Sequence, residues 1–131
     1  MEEKRYFTVA EVNALLPDLE DRVRRLIAQR QEISQKAATL QAHRADDPGG
    51  DFMQQEAELE FLLTLLKGAY AGIEAMGGEI KQPDATLIDF LGRDPQGGEV
   101  CLCWRFGEKT IGFFHSFTEG FAGRKPVVEG M

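Results

Sequence analysis

No stretch of this 131-residue chain approaches the roughly 18 apolar residues needed to span a bilayer, and its opening segment lacks the apolar core of a secretory signal. Both absences point to a cytoplasmic protein without a membrane partner. Basic charge is also short: 15 Lys and Arg stand against 22 Asp and Glu, a formal net charge of -7. A surface of that sign argues against nucleic acid or anionic membrane as a partner. Cysteine is limited to Cys101 and Cys103. Two residues apart on a strand, their Cα atoms sit about 6.5–7 Å apart. A bridge would force the backbone out of strand geometry, so free thiols are expected. The nucleophile elbow, the P-loop and the dinucleotide fingerprint are all missing, so no motif announces a reaction.

What is present is a strong helical pattern. Thr8 with Glu11 forms a capping box, and Phe7 with Val12 occupies the positions of a hydrophobic staple. From Val12 the series Leu16, Leu19, Val23, Leu26, Arg30, Ile33, Ala37, Leu40 steps by fours and threes, a heptad seam interrupted by Arg30. Pro17 falls inside the pattern, where it damages a helix interior. The expectation is therefore a short helix from Thr8 to Leu15, a break, and a long helix from Pro17 to Arg44. Arg30 is expected to reach solvent along its aliphatic stem, because no acid of the partner helix lies opposite it.

Turn formers fill residues 45–50, and a second helix is expected from Asp51 to Met76, ended by Gly77-Gly78. Its seam runs Phe52, Gln55, Leu59, Leu62, Leu66, Ala69, Ile73, Met76. Phe61, Leu63, Leu65 and Tyr70 widen the apolar surface, so a second side must be covered. The protein's own sheet is the expected cover, with a subunit interface as the alternative.

The remainder reads as β. Strands are expected at Glu79 to Lys81, Thr86 to Leu91, Glu99 to Phe106 and Lys109 to Phe117, the last two forming a hairpin around Gly107-Glu108. Alternation puts Val100, Leu102, Trp104 and Phe106 on one face and Cys101, Cys103 and Arg105 on the other. The fold class is α+β: one domain in which a long antiparallel helical hairpin, 8–76, packs on a small antiparallel sheet. The sheet is a meander over 79–117, followed by an irregular tail, 118–131.

Three constellations could carry chemistry. Thiolate and imidazole suit zinc or another divalent metal, so Cys103 and His115 are candidate ligands, joined by Cys101 and by Asp89 or Glu108. Against this stands the reading of buried thiols and a hydrogen-bonded histidine. Cys103 with His115 as base would make a nucleophile, with Arg105 lowering the thiol pKa. The glycine-containing loop 120–126, with Arg124 and Lys125, could hold a small anion. Asp89, Arg105, Glu108 and Arg124 are the candidate ligand-binding residues.

Two stretches resemble a known family. Phe7 to Pro17 is similar to its start. Leu102-Cys103-Trp104-Arg105, Gly107-Glu108, Ile111, His115 and the 120–126 loop resemble the C-terminal signature of domain of unknown function 2203, an uncharacterised bacterial family. The resemblance implies a small bacterial protein and no activity. Its polar positions fall on Asp89, Cys103, Arg105, Glu108, His115 and Arg124, while Ser116 stands where an acidic residue is usual. The functional expectation is an interaction or structural protein that self-associates as a homodimer through its helices. The alternative is a small metal- or anion-binding protein, or an enzyme, with its site on the sheet.

Overall fold

A computed structural model describes residues 4–131; the first three residues of the opening segment lie outside the described residues. Two helices, α1 (Val9–Asp46) and α2 (Met53–Glu74), form the hairpin. Five strands follow: β1 (Glu79–Ile80), β2 (Leu87–Arg93), β3 (Glu99–Arg105), β4 (Phe113–His115) and β5 (Lys125–Pro126). They make one antiparallel sheet in the order β1-β2-β3-β4-β5. The architecture is α+β, a helical hairpin on a small sheet. No helix among the described residues is long and apolar enough to cross a membrane.

The capping box forms as the sequence requires. Thr8 Oγ1 accepts from Glu11 N, and Glu11 Oε1 accepts from Thr8 N. The expected break at Pro17 does not occur: α1 runs unbroken through it. Interior proline costs about 3 kcal/mol. Leu16, Leu19, Val23 and Leu26 are all buried in one core on either side of it. Each such burial stabilises by about 1.5–3 kcal/mol, so packing outweighs the missing hydrogen bond.

That core lies between the first half of α1 and one face of the sheet, where Ile88, Phe90, Val100, Leu102 and Trp104 are buried. The second helix contributes one fully buried residue, Ile73, near its end. Here the expected cover for α2 is corrected. The sheet spans α1 and the end of α2, and leaves most of α2 uncovered. The physical reason is length. Helix α1, with 38 residues, is about 57 Å long at about 1.5 Å per residue, whereas a seven-residue strand reaches about 23 Å.

Arg30 also departs from expectation. Its Nη1 donates to the Tyr70 hydroxyl at 2.6 Å and to the Pro83 carbonyl at 2.7 Å, and the Tyr70 hydroxyl donates to that same carbonyl. Helix α1, helix α2 and the β1–β2 turn are thereby tied at one point. The partner is a carbonyl and a phenol, which a search for acids does not reveal.

The last expected strand, Lys109 to Phe117, shrinks to Phe113–His115. Ile111 N donates to Asn13 Oδ1 at 2.7 Å, so that stretch binds α1 instead of β3. The tail, expected to be irregular, supplies a 3-10 turn (Phe121–Gly123) and β5. It ends against the start of α1, where Val9 N donates to the Met131 carbonyl at 2.9 Å.

Candidate metal centre

The helix-facing side of the sheet is apolar, so its other side carries the polar residues. Register decides which of them meet. Asp89 on β2 lies directly opposite Cys103 on β3, and His115 on β4 lies opposite Cys101. All four point away from the helices. The ligand atoms of Asp89, Cys103 and His115 lie within 4.8 Å of one another, and the three residues are 4%, 0% and 4% exposed.

Hydrogen bonding fixes how the imidazole is presented. His115 Nδ1 lies 2.7 Å from the Ser116 carbonyl, which can only accept, so Nδ1 carries the proton. Nε2 then faces Asp89 Oδ2 at 3.0 Å. Two lone pairs at that distance need a proton or a cation between them. The other carboxylate oxygen, Asp89 Oδ1, is buried and meets no N–H or O–H donor; the Cys103 thiol, a weak donor, is the carboxylate's neighbour on that side. A buried carboxylate oxygen left without a strong donor is costly, so the pocket suits a cation better than it suits the protein alone.

The dimensions fit zinc. Bonds of about 2.0–2.3 Å at tetrahedral angles put ligand atoms about 3.3–3.7 Å apart, between the 3.0 Å of the Asp89–His115 contact and the 4.8 Å within which all three donors lie. Aspartate and thiolate together neutralise a divalent ion, which removes the penalty of burying charge. The carbonyl on Nδ1 is the outer partner that orients a metal-binding histidine.

The same environment disfavours a cysteine nucleophile. Burial pushes the Cys103 thiol up to about 12 and Cys101 up to about 11, and the Asp89 carboxylate acts in the same direction. A thiol so placed gives little thiolate for attack, whereas a metal displaces its proton directly.

The family described as "Uncharacterized conserved protein (DUF2203)" matches residues 5–127. The chain belongs to that family. No curated protein and no solved structure matches it. DUF2203 carries no stated activity, so the chemistry of this chain rests on its geometry.

In this DUF2203 chain the other candidate residues take separate places. Arg124 donates from Nη2 to both oxygens of Glu108, at 2.7 and 2.8 Å, and to the Cys103 carbonyl at 3.3 Å. Its guanidinium also lies 4.2 Å from the Phe113 ring centre and 4.8 Å from that of Phe121. Glu108 Oε1 accepts from Arg105 N as well. Glu108 and Arg124 therefore latch the tail over the sheet, each neutralised by the other. The Arg105 side chain is exposed, makes no side-chain hydrogen bond to either group, and lies 6.0 Å from the Phe121 ring beside a groove with Gln82 and Thr86.

A cleft of about 630 Å³ opens onto Asp89, His115 and Cys101, bounded by Lys4, Lys81, Phe117 and Phe121. Lys4 and Lys81 are paired with Glu99 and Glu79. Cys103 lies beneath the floor of this cleft. Ser116, noted in the sequence only for the acid it replaces, contributes a backbone carbonyl, which leaves no trace in residue type. Lys81 had a signal, since two-residue alternation from Glu79 sets it on the same face.

Proposed function

We propose that the protein binds a divalent transition metal, zinc foremost, through Asp89, Cys103 and His115. The observation that carries this reading is the buried three-donor cluster in which His115 Nε2 faces Asp89 Oδ2 at 3.0 Å and Asp89 Oδ1 has no N–H or O–H donor. Three protein ligands would leave a fourth position, and a cleft lined by Asp89 and His115 would be the route by which a small molecule reached it. Such a metal acts as a Lewis acid on an oxygen donor or binds water and lowers its pKa. The two buried free thiols fit a cytoplasmic setting, where thiols stay reduced.

Cobalt(II) substitution tests this. Titrated into untagged protein, cobalt should give intense visible bands of a tetrahedral site and a thiolate charge-transfer band in the near ultraviolet. Cys103→Ser should remove the charge-transfer band, while Cys101→Ser should keep it. Added azide should shift the visible bands, because the fourth position is open. A spectrum of six-coordinate aqueous cobalt in the wild type would reject the reading. Loss of binding in Cys101→Ser would make the site a closed four-ligand one.

A further inference from the structure

Helix α2 carries two heptad seams, and this chain fills one of them. Leu66, Ala69 and Ile73 pack toward α1 and the core, with Leu59 and Leu62 half-buried on the same line. One residue earlier at each step runs a second line: Glu58, Phe61, Leu65, Gly68, Gly72. Phe61 is 62% exposed and Leu65 44%. A Cβ placed on Gly68 would meet nothing within 4 Å. Large apolar side chains thus stand at one end of the seam, and toward the other the backbone is open at Gly68, with Arg22 lying over Gly72.

We infer that this seam is a homodimer interface, in which α2 pairs antiparallel with α2 of a second copy about a two-fold axis at Leu65. The inference rests on the helices and is independent of the metal site. Self-complementarity is what a two-fold interface requires. Phe61 lies four residues before Leu65 and Gly68 three residues after it. At about 1.5 Å per residue their heights match to about 1.5 Å, so each Phe61 enters the groove at Gly68 of the other copy. Glu58 and Gly72 stand seven residues on either side of Leu65, at equal height.

Charge selects the second copy and its direction. Glu56, Glu58 and Glu60 crowd the start of α2. The far end is flanked by Arg22, whose Nη1 would lie 2.9 Å from a Cβ on Gly72. Antiparallel pairing sets Glu58 of each copy against Arg22 of the other. Parallel pairing would set acid on acid and arginine on arginine. Both groups are half exposed in their present pairs, Arg22 with Asp18 and Glu58 with Lys36, so they can turn to the new partner. Such pairs set orientation more than affinity; the apolar seam supplies the affinity.

Light scattering and cysteine cross-linking test the inference. At tens of micromolar the wild type should show twice the 14.6 kDa chain mass. Leu65→Glu, at an exposed position, should give a folded monomer by circular dichroism and mass. Under mild oxidation Leu65→Cys should form a covalent dimer. Glu58→Cys should not, because its copies lie about 21 Å apart in the antiparallel register. A monomeric wild type overturns the proposal, as does a dimer that survives Leu65→Glu. Glu58→Cys cross-linking as readily as Leu65→Cys overturns the antiparallel register.

Discussion

Asp89 Oδ2 lies 3.0 Å from His115 Nε2, and both belong to buried side chains on neighbouring lines of one sheet face. The pair is held from outside by the Ser116 carbonyl on His115 Nδ1. The cluster sits on β2, β3 and β4, and the tail is latched over the sheet by Glu108 and Arg124.

The latch should be measurable by itself. Glu108→Gln leaves the Arg124 guanidinium among Phe113, Phe121 and the Cys103 carbonyl without its anion. The Arg124 and Glu108 side chains are 12% and 25% exposed, so a loss of about 2–4 kcal/mol is expected, somewhat below that of a fully buried pair. Hydrogen exchange should quicken at Phe113 to His115 and at Val127, with little change at α1. Uniform quickening throughout the chain would show that the latch is part of the global core.

Arg30 supplies a second prediction. Arg30→Leu should destabilise by about 2 kcal/mol in urea unfolding, since two charge-assisted hydrogen bonds are lost. Tyr70→Phe should cost about 1 kcal/mol, and the double variant less than the sum, because the three groups act as one network. An unchanged or raised midpoint for Arg30→Leu would mean that the side chain is held by solvation alone.

Acid sensitivity offers a third. Hydrogen bonds from Thr86, side chain first and then backbone, hold the Asp84 carboxyl below its ordinary 3.8. A carboxyl depressed in the folded state binds its proton less readily there than when unfolded. Its contribution is therefore present above the ordinary value and is lost as pH falls through the lower folded value. Asp84→Asn should make stability less dependent on pH below about 4, read as the midpoint of urea unfolding across that range. An identical acid limb in both proteins would contradict the assignment.

The helices were legible because each local signal had one meaning. Thr8 and Glu11 could only cap, and the heptad from Val12 marks a stripe that is buried from Val12 to Leu26 and again at Leu40. Pro17 was misjudged because its cost is local, while the burial that overrides it is tertiary. The two faces of β3 followed from alternation alone. The pairing of Asp89 with Cys103 could also have been counted. Asp94 Oδ1 accepts from Gln96 N and Gly98 N, and Gly97 has φ +87°, a turn that the run Asp94-Pro95-Gln96-Gly97-Gly98 encodes. Closing that loop at Arg93 and Glu99 sets Asp89 across from Cys103. The place of His115 was not legible, because residues 106–112 cross from β3 to β4 through bonds to Asn13 and a glycine turn that carry no periodicity.

The most direct test of the metal centre is metal content by mass spectrometry. Protein without a histidine tag, purified from zinc-supplemented cells and dialysed, should carry one zinc per chain. Cys103→Ala and His115→Ala, each checked for folding by circular dichroism, should carry none. Wild-type protein that is folded, free of metal and unable to take up zinc from solution would contradict the account.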